Sequence, residues 1–137
     1  METQQAPASL DEVRLAVLRQ HTQLGQLLDE LEAHAKAVIG GAVADEGKPL
    51  DDALALLLAR FTRHIDYEEA HLAQWIPPAK RGKLLGDHEE QRRLVRGLAH
   101  DRGVFGDPQT IAREALAFVH TLRKDMVDEE EQLRPLR

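Results

Sequence analysis

The chain has no cysteine, which excludes disulfides, thiolate zinc sites, iron–sulfur clusters and cysteine nucleophiles together. It has no basic run either: 18 Lys and Arg stand against 24 Asp and Glu, a formal charge of −6, which argues against nucleic acid or an anionic membrane as partner. No stretch approaches the roughly 18 apolar residues of a membrane span. The Met1–Ser9 leader lacks the basic start and apolar stretch of a signal peptide, so the expected compartment is the cytoplasm. Aromatics are only 4%, and Leu, Ala, Glu, Arg and Gln dominate instead, a helix-forming composition. At 137 residues the chain is one domain's length, enough to bury a core without staples. Seven histidines are what this composition leaves unexplained.

Punctuation divides the chain into four helical segments. Residues 1–8 read as a flexible leader, and 9–137 as a single domain. Ser9-Leu-Asp-Glu12 fits a capping box, and the helix it opens runs to about Ile39, stopping at Gly40-Gly41. Gly40–Lys48 reads as a loop, Pro49 opens a second helix, and Pro77-Pro78 ends it. The third covers roughly Ala79–Arg102, with Gly103 suited to its C-terminus. Asp107-Pro108 is an N-cap followed by proline at the first helical position, and this last helix continues to about Leu133. Four helices with mostly short connections imply an all-α, up-down-up-down four-helix bundle.

The helical repeat of about 100° per residue shows which polar groups share the apolar stripe. With Phe61 at its centre on the second helix, Glu68 falls about 20° away and His64 about 60° to the same side. With Leu122 at the centre of the fourth, Glu129 and Asp125 take the same two offsets. His21 lies about 60° from Leu24 on the first helix, and His88 has the same offset from Gln91 on the third. His64-Ile-Asp-Tyr-Glu68-Glu69 thus aligns with Asp125-Met-Val-Asp-Glu129-Glu130, and Leu18-Arg-Gln-His21 with Leu85-Gly-Asp-His88. The chain is a weak two-fold internal repeat in which every helix turns polar groups inward.

A buried carboxylate costs several kcal/mol unless something compensates it. A pair of divalent metals supplies that compensation. Imidazole and carboxylate donors without thiolate suit iron or manganese, and also zinc or copper. The His-x-x-x-Glu spacing stacks two ligands one turn apart, and facing helices then enclose a dinuclear site. The competing reading is a metal-free polar layer, with His64 paired to Asp125 and His88 to Glu68 or Glu129.

These residues resemble the hemerythrin-like (HHE cation-binding) family, from His21 to Leu133. The most specific element is His64-Ile-Asp-Tyr-Glu68-Glu69 followed by Trp75-Ile-Pro77-Pro78. Oxygen-carrying members hold two non-haem irons with five histidines and two bridging carboxylates. By this resemblance His21, His64, Glu68 and His88 take the first four ligand positions, while Arg92 stands where a further histidine belongs. On the last helix two registers compete. His120 with Asp125 matches the oxygen carriers, whereas Asp125 with Glu129 matches the internal repeat and the His-x-x-x-Glu spacing of an iron-sensing F-box hemerythrin-like domain. On a regular helix His120 lies about 160° from Leu122, facing outward unless a π-bulge turns it. Asp125 and Glu129 need no distortion and are preferred, with His120 the alternative.

The remaining polar residues have plainer readings. His71 belongs to the rim of the stripe, His34 and His100 to the surface, and Asp128–Glu131 to a solvated face apart from Glu129. Tyr67 faces away from the centre and Trp75 packs over the bundle end. Arg92 is a solvated charge or reaches over the site to a ligand carboxylate. The expected function is a hemerythrin-like protein with two non-haem irons, or zinc or manganese, that binds or senses O2, NO or peroxide or handles iron. With nitrogen ligands replaced by carboxylates, strict reversible oxygen carriage is not the first choice. A binding or sensing role ranks above an enzyme of peroxide or NO, and a metal-free interaction module is the remaining alternative. A protein partner or homo-oligomer is left open.

Overall fold

Ser9 accepts the backbone N–H of Glu12 while the Glu12 carboxylate accepts that of Ser9, so the expected capping box starts α1, Leu10–Ile39. The helix ends at Gly40, and Gly41 takes a φ of 67°, the left-handed conformation that glycine adopts without penalty. In the computed structural model, residues 9–41, 47–104 and 107–134 are described. The leader at 1–8, the middle of the Gly40–Lys48 loop and the last three residues lie outside them.

α2 spans Gly47–Tyr67, beginning two residues before Pro49, which sits in its first turn. The sequence reads as one uninterrupted helix to the paired prolines. The structure breaks it: Glu68–Leu72 form a π turn, closed by the Ala73 N–H on the Glu68 carbonyl, and Ala73–Trp75 form a 3₁₀ turn. The π distortion therefore falls on the second helix at its Glu-Glu doublet. α3 spans Pro78–Val104, running through Gly103, and α4 spans Pro108–Leu133 behind the Asp107 cap. No helix among the described residues is long and apolar enough to cross a membrane.

Cross-helix contacts fix the topology. Gln109 at the start of α4 donates to the Val38 carbonyl at the end of α1, Arg123 meets Asp29 and Glu32, and Glu129 meets His21. α1 and α4 are therefore antiparallel and close the bundle. α2 runs against α1 through His64 and Gln20, and α3 against α2 through His88 and Glu68. The apolar core is built by Leu24, Leu28 and Leu31 of α1, Leu54, Leu57, Phe61 and Ile65 of α2, and Ala115, Phe118 and Leu122 of α4. A smaller cluster of Val13, Val17, Leu72, Ile76 and Leu133 closes the other end. The polar groups lie between these two layers, so the fold gives the site an apolar floor and ceiling. Each fully buried leucine contributes roughly 1.5–3 kcal/mol, and that packing holds the inward polar groups in register.

Candidate metal centre

The periodicity that buries Leu24 and Leu28 also buries His21, and the stripe through Phe61 and Ile65 carries His64 and Glu68 inward. At the level between the two apolar clusters, His21, His64, Glu68 and Glu129 each offer one donor atom, all within 4.8 Å of one another. His21 Nε2 lies 2.8 Å from Glu129 Oε1, and His64 Nε2 lies 3.2 Å from Glu68 Oε2 and 3.9 Å from Glu129 Oε1. Donors about 2.1 Å from one ion stand about 3–4 Å apart, so this tetrad fits a metal by its spacing. Glu68 supplies an independent indication. It is 1% exposed, and its Oε2 makes no hydrogen bond in spite of the imidazole beside it. A buried carboxylate oxygen left unsatisfied carries a desolvation cost that a cation would remove.

His88 adds a second direction to the same carboxylate. Its Nε2 lies 2.9 Å from Glu68 Oε1, so the two oxygens of Glu68 face two different imidazoles. The outer nitrogens are held as well. His21 Nδ1 meets Glu130 Oε2 at 2.8 Å, His88 Nδ1 meets Glu69 Oε2 at 3.0 Å, and His64 Nδ1 meets Gln20 Oε1 at 2.6 Å. An acceptor at each Nδ1 would favour the tautomer that leaves Nε2 free to ligate a metal; without a metal, Nε2 of His88 carries the proton it shares with Glu68. The internal repeat explains the pattern. Glu129-Glu130 of α4 grips His21 of α1 at both nitrogens, and Glu68-Glu69 grips His88 of α3 in the same way.

Charge is unevenly distributed among these groups. Burial pushes Glu68 up, but His64 and His88 overcome it and hold its carboxyl far below the usual range. Glu129 is pushed up to about 8, by burial and by the Glu68 charge, against the pull of His21. Without metal, Glu68 is held ionised and Glu129 is pushed toward its protonated form. Burial lowers His21 and His88, yet their paired glutamates raise both imidazoles above the ordinary value. Arg92 holds Glu69 below the carboxylate range.

A cleft of about 520 Å³ between α3 and α4 reaches this cluster from the surface. Glu68, His64, His88 and Glu129 lie in its depth, with Phe61, Leu84 and Leu122 on the walls and Lys83 and Lys124 among its lining residues. Asp125 is half-buried in the cleft, outside the tetrad, and accepts a hydrogen bond from Gln91 Nε2 at 2.8 Å. His120 is exposed on a regular stretch of α4, facing away from the cluster. His71 stacks on Tyr67 with ring centroids 4.6 Å apart, outside the tetrad. Tyr67 packs against the smaller apolar cluster, and Trp75 is 40% exposed in the 3₁₀ turn, not packed down over the bundle end.

Gln20, Glu69 and Glu130 are the functional residues that sequence reasoning did not single out. A signal existed for two of them, because the Glu-Glu doublet occurs in both halves of the repeat. Gln20 carried none, since only the α1–α2 packing reveals its contact with His64. Arg92 pairs with carboxylates, as one reading allowed, but with Glu69 and Asp66, neither of which is among the expected ligands.

A four-helix bundle with imidazoles and carboxylates clustered between two apolar layers defines the class of helical proteins that hold cations in their interiors. The sequence matches the profile described as Hemerythrin HHE cation binding domain over residues 15–136. The chain therefore belongs to the hemerythrin HHE family. Neither the curated proteins nor the solved structures provide a match.

Proposed function

We propose that this protein holds two non-haem metal ions, iron by preference, and binds or senses dioxygen, nitric oxide or peroxide in the cytoplasm. The carrying observation is Glu68, a fully buried carboxylate with one oxygen toward His88 and an unsatisfied one beside His64. His21, His64, Glu68, His88 and Glu129 are the ligands on this reading, with Asp125 completing the set from the cleft. The metal pair supplies open coordination positions and redox electrons to a small molecule. Gln20, Glu69 and Glu130 keep the three imidazoles aimed inward, and Glu129 would hold a metal as its carboxylate. Phe61, Leu84 and Leu122 limit water around the centre. Zinc or manganese would satisfy the same donors. A metal-free interaction module would leave Glu68 Oε2 without a hydrogen bond, which counts against it.

Binding or sensing is the first role. Turnover of peroxide or NO is the second, favoured by a cleft far larger than a diatomic molecule needs. Elemental analysis after anaerobic iron loading, followed by the visible spectrum in air, tests the reading. About two irons per chain with an oxo-bridge charge-transfer band is the expected result. Failure to retain iron, zinc or manganese, with no gain in melting temperature from any of them, overturns it.

A further inference from the structure

The two sides of the cluster are built unequally. On the α1 side, His21, His64, Glu68 and Glu129 bring four donors within 4.8 Å of one another, and His21 is 4% exposed and outside the cleft lining. On the α3 side, among the described residues, the inward donors in contact are His88 Nε2 and Glu68 Oε1. Arg92, one turn after His88, carries hydrogen-bond donors and no lone pair, so it ligates nothing. It also occupies the nearest spare carboxylate. Arg92 Nη1 and Nη2 take the two oxygens of Glu69 at 2.8 and 2.9 Å, and Nη2 reaches Asp66 at 3.0 Å. Both oxygens of Glu69 are thus engaged by Arg92, and Oε2 also faces His88 Nδ1. The matching clamp of the other half has no such cation: Glu130 meets His21 alone among the described residues, and Gly25 stands at the position equivalent to Arg92. The cleft is lined by His88, Gln91 and Asp125, and it also reaches His64, Glu68 and Glu129, leaving only His21 of the tetrad outside it.

We propose that the site consists of a tight, four-donor metal position at His21–His64–Glu68–Glu129 and a weaker position at His88 that Arg92 leaves short of a ligand. Small anions and peroxide entering between α3 and α4 bind at the second position. The proposal rests on the metal-binding reading above, and it adds an order of filling and a place for the incoming ligand. Asp125, now held by Gln91, lines the same cleft as His88 and on this proposal joins it there.

Anaerobic titration of the metal-free protein with cobalt(II), followed by its absorption bands and by calorimetry, separates the two ideas. Two steps differing by about tenfold or more in affinity are expected. His88→Gln removes the weaker step and leaves the tighter one within about threefold, while His21→Gln removes the tighter. Arg92→His restores a nitrogen donor and strengthens the weaker step by about tenfold or more. Formate alters the cobalt bands only after the second equivalent has bound. Two equal steps, loss of both in a folded His88→Gln variant, an unchanged weaker step in Arg92→His, or a formate response complete at one equivalent would each overturn this inference and leave metal binding standing. No cobalt bound at any ratio overturns the metal-binding reading itself. Circular dichroism of each variant distinguishes lost ligands from a lost fold.

Discussion

α1 and α3 occupy corresponding places in the internal repeat, yet they are held to the bundle by different physics. α1 buries Leu10, Val13, Val17, Leu24, Leu28, Leu31, Ala35 and Val38 along one face, with His21 the only polar group among them. Among its described side chains α3 buries only His88, Gln91 and Leu98. Leu84 and Val95 add partly buried apolar contacts, and its other ties are polar: Arg81 to the Ala73 and Ile76 carbonyls, Arg92 to Glu69 and Asp66, and Gln91 to Asp125. α1 is fixed mainly by burial, although its His21 also belongs to the candidate metal centre. α3 is fixed largely by the groups that surround the candidate metal centre. An element with few buried apolar contacts belongs to the low-stability end of a structure, and here the cleft runs along it.

That contrast is broken most severely from the apolar side. Leu57→Ala empties a fully buried position and should cost about 2–5 kcal/mol in urea unfolding, equally with and without metal. Glu68→Gln attacks the other region. Its effect should be seen mainly in the loaded protein, where losing a ligand forfeits about 4 kcal/mol at a thousandfold excess of metal over its dissociation constant. Paired thermal melts, metal-free and loaded, check this, and equal melting of variant and parent with metal present would remove Glu68 from the ligand set.

pH sharpens the comparison further. In the metal-free protein Glu129 is raised to about 8, so the folded state holds a proton that the unfolded state releases near 4.5, and this contribution declines as pH rises through that interval. His21 and His88 are raised above 6.5, and their contributions are likewise lost on the alkaline side. Glu68 and Glu69 are lowered, so theirs are lost only as pH falls below 4.5. Metal-free unfolding free energy should therefore drop from pH 6 to pH 8.5, and Glu129→Gln should flatten that slope. Loading metal at pH 7 should release protons, measurable by calorimetry in buffers of different ionisation enthalpy.

Smaller effects belong to the ties of α3. Arg92→Gln removes a partly exposed ion-pair network worth about 1 kcal/mol or less, and hydrogen exchange should quicken along α3 while α1 is unchanged. Lys83→Ala, which loses only an exposed pair with Asp87, should stay within about 0.5 kcal/mol of the parent.

Much of this was legible in the chain because a helix converts spacing into direction. The Ser9 box, the Gly40-Gly41 stop and the Asp107-Pro108 start are local, and each appears where its chemistry requires. His21, His64, Glu68 and His88 were assigned to the interior by offset alone, and all four are buried. The outward placement of His120 follows from the same rule. The sequence by itself thus determined four helices, their inward faces and the donor types gathered at one level. Tertiary structure decided the rest. The spacing on one helix carries no information about the rotation and height of its neighbour, so the grip of Glu130 on His21, the Gln20 contact with His64 and the capture of Glu69 by Arg92 arise only when the helices pack. The π turn at Glu68–Leu72 is likewise a change of hydrogen-bond register that residue types along the helix do not announce. The cleft beside α3 exists because that helix has too few apolar residues to close against α4, and only assembly turns that deficit into a route to Glu68 and His88.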